Sequence, residues 1–114
     1  MTNPSLRTQV LLWGAQRASA AVLALCVLVH LATIIYAVRS GLTAAEILGR
    51  THGSLVWGGF YGLFVAAVAV HAPIGVRNIL AEIGWRGRGV DLMLLVLGTL
   101  LALWGWRAVW AVVS

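Results

Sequence analysis

Residues 18–38 read ASAAVLALCVLVHLATIIYAV, a run of 21 residues without a charged side chain. About 20 consecutive apolar residues in a helix are enough to cross the hydrocarbon core of a bilayer. Residues 51–76 form a second uncharged run, and residues 91–113 form a third whose only charges are Asp91 and Arg107. Three runs of this length predict three membrane-spanning helices.

The composition leads to the same class of protein. Hydrophobic residues make up 61% of the 114 residues and charged residues only 10%, against about 45–50% and about 25% in soluble domains. Three acids and eight arginines cannot cover the surface of a soluble domain of this size. We therefore predict an all-α integral membrane protein, a three-helix bundle that forms a single domain over residues 1–114. The spans are expected at about 16–38, 54–80 and 91–113.

The charges indicate how the chain lies in the membrane. The net charge of +5 could suggest a nucleic-acid partner, but the arginines are scattered and most flank the apolar runs. Basic residues favour the cytoplasmic side of a membrane, and five of the eight fall in the N-terminal segment and the second loop. These five are Arg7, Arg17, Arg77, Arg86 and Arg88. We expect a lipid bilayer and no nucleic acid as partner, with the N-terminus in the cytoplasm.

The loops carry recognisable helix signals. Thr43 precedes Glu46 at the spacing of a capping box, which predicts a short surface helix. Residues 84–89 read GWRGRG and predict a glycine-rich turn, and Asp91 then suits the positive N-terminus of the third span. Cys26 is the only cysteine, so a disulfide scaffold is excluded.

His30 and His71 lie inside predicted spans, where ionisable groups are costly and usually face protein, a cofactor or water. At helical spacing, the face of the second span that carries His71 also carries Phe60, Phe64, Ala67, Gly75 and Asn78. Small residues one turn to either side of a histidine would leave room for a flat macrocycle, so His71 is a candidate axial haem ligand. The alternative is a histidine that hydrogen-bonds a neighbouring helix. Gly58 and Gly62 fall on the opposite side and predict close helix packing there.

Residues 71–82 read HAPIGVRNILAE. The segment resembles a signature of the cytochrome b membrane-anchor subunit (C-type) of the succinate dehydrogenase and fumarate reductase family. That family's second span ends in His-x-x-x-Gly-x-Arg-His with an acid four residues on. The residues that match in type and spacing are His71, Gly75, Arg77 and Glu82. Asn78 departs, since the family usually has a second histidine there. The resemblance implies that His71 is an axial haem ligand and that Arg77 lies close to the haem propionates.

Residues 16–20 read QRASA and resemble the His-Arg-x-Ser-Gly motif at the start of the family's first helix. Arg17 and Ser19 match. In the family, the arginine and a serine four residues before it help to form the quinone pocket, so the resemblance implies a quinone near Arg17. Trp13 stands at the position of the pocket serine and Gln16 at that of the histidine. A tryptophan can pack against a quinone ring, and the Gln16 amide can hydrogen-bond a carbonyl or a propionate.

His30 belongs to a polar face of the first span, which indicates that this face looks inward. The members of that face are Gln16, Ser19, Leu23, Cys26 and His30. His30 lies 13 residues from Arg17 and His71 lies 6 residues from Arg77, or roughly 20 Å and 9 Å from the same membrane surface. This difference in depth argues against one haem held by both rings. His30 could instead ligate a second haem, hydrogen-bond within the bundle, or contact the haem edge.

The resemblance implies a haem b-binding membrane anchor of a succinate:quinone oxidoreductase or fumarate reductase, without catalytic activity of its own. Such a chain holds one haem b, or two if His30 is also a ligand, and takes quinone as bound substrate. Its partners are a flavoprotein subunit and an iron–sulfur subunit at a bacterial inner membrane. A second anchor subunit, or a second copy of the chain, supplies the other haem ligand.

Two alternatives come from other classes of membrane protein. One is the b-type cytochrome anchor of another respiratory oxidoreductase, such as a hydrogenase or formate dehydrogenase, although those anchors usually have more spans and lack the pattern around His71. The other is a haem-free small transporter or packing subunit. A small drug–proton antiporter needs four spans and an acid in the first, and neither of the first two spans here contains Asp or Glu.

Overall fold

The computed structural model describes residues 5–114, and over that range the chain consists of α-helices joined by short turns. The helices are α1 (Leu6–Arg39), α2 (Ala44–Thr51), α3 (Leu55–Glu82) and α4 (Arg88–Val113). Three of them, α1, α3 and α4, are long and apolar enough to cross a membrane. The predicted all-α class with three spanning helices is therefore confirmed. Residues 1–4 of the predicted domain lie outside the described residues.

The first helix begins earlier than the span predicted from residue 16. Ser5 caps it, because the Ser5 side-chain oxygen accepts a hydrogen bond from the backbone N–H of Thr8 at 3.2 Å. With 34 residues, α1 is about 51 Å long, whereas the hydrocarbon core is about 30 Å thick. The helix therefore extends well beyond the apolar run that identifies the span.

The turns form as their sequences predict. Thr43 and Glu46 make a complete capping box at the start of α2. Gly84 and Gly87 adopt positive φ angles of 88° and 132°, a region that glycine reaches without steric cost. The chain then enters α4, whose first turn contains Asp91.

The central helix is α3, which packs against both α1 and α4, whereas α1 and α4 barely contact each other. Close approach of α3 and α4 depends on two glycines of α4. A Cβ at Gly98 would lie 3.1 Å from Cγ of Pro73, and a Cβ at Gly105 would lie 2.5 Å from Cγ1 of Val65. Small residues allow this proximity between membrane helices.

Gly62 does not pack closely against another helix among residues 5–114. A Cβ at Gly62 would meet nothing within 4 Å, and one at Gly58 would meet only Cγ1 of Val113 at an ordinary 3.7 Å. The spacing of Gly58 and Gly62 does mark a small-residue face of α3. No neighbouring helix comes close to Gly62, however, because the closest α3–α4 contacts are made through glycines of α4.

Two hydrogen bonds tie the helices together at the end of the bundle opposite the N-terminus of α1. Thr51 is 8% exposed and donates through Oγ1 to the carbonyl of Val112 at 2.6 Å. The backbone N–H of Gly53 donates to the carbonyl of Val113, also at 2.6 Å. The α2–α3 turn is thereby attached to the C-terminus of α4.

Candidate functional site

A cleft between the N-terminal half of α1 and the C-terminal third of α3 has a volume of about 240 Å³. We call it the α1–α3 cleft. Its lining consists of Gln9, Leu12, Trp13, Gln16, Arg17, Ile74, Arg77 and Asn78. Residues from the two motifs that the sequence singled out therefore meet in one place: Trp13, Gln16 and Arg17 from the first, and Arg77 and Asn78 from the second. They come from positions about 60 residues apart because α1 and α3 run in opposite directions.

Trp13 and Arg17 form the exposed side of the cleft. They are four residues apart and so lie on one side of α1, with the Arg17 guanidinium carbon 5.4 Å from the centre of the Trp13 ring. This is a cation–π contact. Trp13 is 64% exposed, so both the indole face and the guanidinium can be reached from outside the chain.

Gln16 provides the buried polar group of the cleft. Its Oε1 is shielded from solvent and has no hydrogen-bond partner among residues 5–114. Buried polar atoms in native proteins nearly always have a partner, so this amide is suited to a ligand or water. A Cβ at Gly75 would lie 3.3 Å from Nε2 of Gln16. The space at Gly75 that was expected to clear a haem ring is therefore next to the Gln16 amide, because α1 packs on this face.

Arg77 lies at the end of the cleft and pairs with Asp91. The Arg77 Nε donates to Oδ1 of Asp91 at 3.3 Å, and each side chain is 26% exposed. The sequence indicated a role for each residue but not the contact between them. The ion pair joins the C-terminal part of α3 to the first turn of α4, and it fixes the position of the guanidinium beside the cleft.

His71 lies on the α3 face that packs against α1. Its Nδ1 is 3.4 Å from the hydroxyl oxygen of Ser19, which is only 7% exposed. The Ser19 hydroxyl also donates to the backbone carbonyl of Gln16 at 3.1 Å. Ser19, which matched the family's first-helix motif, contacts His71 and does not line the α1–α3 cleft.

His30 has a different environment, towards the other end of α1. Its Nδ1 is 3.3 Å from the Tyr61 hydroxyl, and its ring meets Tyr61 and Phe64 edge-on at centroid distances of 5.7 Å and 5.9 Å. His30 also lines an apolar groove of about 610 Å³ between α2, α3 and α4, which we call the His30 groove. Tyr61 was not singled out from the sequence, although its position three residues before Phe64 places it near that side chain on α3.

The two histidines are far apart along the bundle. His30 contacts Tyr61, and His71 lies ten residues after Tyr61 on α3, which corresponds to about 15 Å. On α1, Ser19 and His30 are eleven residues apart, or about 17 Å. A pair of axial ligands must flank one iron within a few ångströms, so the two rings of one chain cannot do so. The separation is larger than the sequence estimate and has the same consequence.

A family model described as succinate dehydrogenase/fumarate reductase transmembrane subunit matches residues 2–106. The chain belongs to this family. The match includes α1, α2, α3 and most of α4, and therefore both motifs that carried the resemblance. No curated protein and no solved structure matches the chain. The chain is thus a membrane subunit of a succinate dehydrogenase or fumarate reductase complex.

Proposed function

We propose that this transmembrane subunit is a haem b-binding anchor that passes electrons between an iron–sulfur subunit and a quinone in the α1–α3 cleft. The observation that carries the proposal is the convergence of Trp13, Gln16, Arg17 and Arg77 on that cleft. His71 is close by, since the turn of α1 that supplies Gln16 also supplies Ser19.

The cleft offers the groups that a quinone head requires. The exposed Trp13 face can pack against the ring, and Arg17 can donate to a carbonyl oxygen. Reduction of the quinone to the quinol takes up two electrons and two protons, and the positive charge of Arg17 stabilises the oxygen on which negative charge develops. The protons come from water at the open side, because a guanidinium does not give up its proton.

The Gln16 amide suits both forms of the substrate. Its NH₂ group donates to a quinone carbonyl, and its oxygen accepts from a quinol hydroxyl. Rotation of the amide exchanges the two groups without moving the helix. A buried amide oxygen with no partner among residues 5–114 is consistent with a ligand that supplies the missing hydrogen bond.

The residues beside the cleft fit a haem. His71 would provide an axial ligand through the ring nitrogen that does not contact Ser19, and Arg77 would face the propionates, which a guanidinium binds well. A bound haem b supplies a one-electron redox centre. A further ligand to that haem would come from another chain, because His30 is about 15 Å away along α3. A second anchor subunit or a second copy of this chain would supply it.

The arginines indicate how the complex is arranged. The start of α1, the end of α3 and the start of α4 share one end of the bundle, and Arg7, Arg17, Arg77, Arg86 and Arg88 lie there. We place this end, and with it the N-terminus, at the cytoplasmic side of a bacterial inner membrane. The flavoprotein and iron–sulfur subunits would dock on the same side, next to the cleft.

His30 retains the three roles that its sequence position suggested. Its contact with Tyr61 supports a hydrogen bond within the bundle. The His30 groove of about 610 Å³ supports a second haem instead. Contact with the edge of a haem ligated by His71 is less favoured, because the two histidines are about 15 Å apart.

A haem-free subunit of the same complex is the second candidate function. The reduced-minus-oxidised spectrum of the purified complex, with haem quantified per chain, distinguishes the two. We expect a b-type spectrum from which the haem ligated by His71 is lost in His71→Ala. His52 is exposed on the turn before α3, so His52→Ala is the matched control and should retain all haem. A wild-type complex without b-type haem, or full haem in His71→Ala, would overturn the ligand assignment.

A further inference from the structure

Ser19 is a buried hydroxyl with two neighbours and one proton to donate. Its Oγ lies 3.1 Å from the Gln16 carbonyl oxygen and 3.4 Å from His71 Nδ1. A carbonyl oxygen can only accept a hydrogen bond. When the Ser19 hydroxyl donates to Gln16, one turn earlier on the same helix, as is common for helical serines, its single proton is not available to His71.

This arrangement leaves only a lone pair of Ser19 for His71. The His71 Nδ1 must then carry a proton and donate to Ser19. A neutral imidazole has one N–H, so its Nε2 has a free lone pair. We propose that Ser19 is a positioning residue that fixes this tautomer and the ring orientation of His71, so that Nε2 can ligate a haem iron. The inference rests on the proposed role of His71 as a ligand.

The hydrogen bond also affects the iron that His71 would bind. An acceptor on the outer nitrogen of a ligating histidine makes the imidazole a stronger donor, and loss of such partners commonly changes metal affinity by roughly 10–100-fold. A stronger donor favours ferric over ferrous iron. Ser19 should therefore lower the reduction potential of the haem.

The hydroxyl can be tested separately from the shape of the residue. Ser19→Thr keeps a hydroxyl that can donate to the carbonyl three residues earlier. Ser19→Val introduces a side chain of the same shape as threonine but without the hydroxyl. We expect Ser19→Thr to keep the wild-type potential. We expect Ser19→Val to keep haem but lose roughly tenfold of the ferric preference, which for one electron is about 59 mV more positive. A redox titration of the purified complex, followed at the haem absorption bands, measures this shift.

Thr33→Val provides a control on the same helix. The Thr33 hydroxyl also donates to a carbonyl three residues earlier, that of His30, at 2.6 Å. Thr33 is fourteen residues from Ser19, or about 21 Å along α1. The variant therefore removes the same kind of hydrogen bond far from His71, and the potential of this haem should not move.

The outcomes distinguish the positioning role of Ser19 from the ligand role of His71. Loss of haem in Ser19→Val with retention in Ser19→Thr would support the positioning role as strongly as the expected shift. Equal effects in both variants, or wild-type potentials in both, would show that the hydroxyl does not act on His71. Retention of the full wild-type haem content in His71→Ala would instead overturn the ligand role of His71, whatever the Ser19 variants do.

Discussion

Two levels of α1 hold similar pairs of residues in different surroundings. Nearer the N-terminus the His71 ring contacts the hydroxyl of Ser19 across a helix interface, and nearer the C-terminus the His30 ring contacts the hydroxyl of Tyr61. The Ser19 hydroxyl has a second acceptor in the Gln16 carbonyl, and the tautomer that we propose for His71 follows from that contact. The Tyr61 hydroxyl can donate to His30 or accept from it, so the tautomer of His30 does not follow from its contact.

The surroundings differ as much as the hydrogen bonds. The α1–α3 cleft contains two arginines and a buried amide oxygen, whereas the His30 groove is lined mainly by apolar and aromatic side chains. Cationic and amide groups suit a ligand whose oxygens gain negative charge during reduction. A histidine inside a span therefore acquires its specific role from the groups that surround it.

The largest expected effect concerns haem content. His30→Ala tests whether the His30 groove holds a haem as the His71 side is proposed to do. If His30 ligates a second haem, half of the haem is lost, because one of the two haem sites disappears. If His30 only forms a hydrogen bond with Tyr61, the haem content is unchanged in both His30→Ala and Tyr61→Phe. Haem per chain in the purified complex gives the result.

Arg17→Gln should affect quinone reduction strongly. Hydrogen bonds to charged groups contribute about 1.5–3 kcal/mol, so the loss should lower kcat/KM for quinone by about 10–160-fold. Succinate oxidation by an artificial acceptor should be unchanged, because it does not use the cleft. Arg39→Gln, at the opposite end of α1, is the control. An equal fall in both activities would mean that Arg17 is structural.

A substitution in the α3–α4 interface should affect stability rather than redox chemistry. In Gly105→Ala the new Cβ would lie 2.5 Å from Val65, a β-branched side chain with little rotamer freedom. We expect a destabilisation of about 1–3 kcal/mol from overpacking, measured by thermal unfolding of the complex in detergent. Gly62→Ala, which meets nothing within 4 Å, should cause no loss. A wild-type melting temperature for Gly105→Ala would contradict the close approach of the helices.

The smallest effect is expected at the Arg77–Asp91 ion pair. Both side chains are 26% exposed, and partly exposed pairs contribute about 0.2–1 kcal/mol. A double-mutant cycle of Arg77→Gln and Asp91→Asn on thermal stability measures the coupling. Arg77→Gln should in addition change the haem potential if the guanidinium faces the propionates. Strong coupling without that change would make Arg77 a purely structural residue.

Much of the fold could be predicted because its signals are local. The three apolar runs identified the three spanning helices, and the capping box at Thr43 and the turn at Gly84 formed as expected. The early start of α1 was missed because its first residues, 6–16, precede the uncharged run that begins at residue 18. Gln16, Arg17 and Arg77 could be selected from motif spacing, but their meeting in one cleft depends on how α1 lies against α3.

The sequence alone determined that this is a three-span membrane protein of the succinate dehydrogenase and fumarate reductase family, with two histidines at different depths. Only the tertiary structure decided that His71 meets Ser19, that Arg77 pairs with Asp91, and that Gly98 and Gly105 bring α3 and α4 together. The physical reason is that most faces of these helices are apolar, so hydrophobic patterning does not specify how each helix is rotated. Rotation is decided by small residues and hydrogen bonds at the interfaces, and these depend on which helices are neighbours.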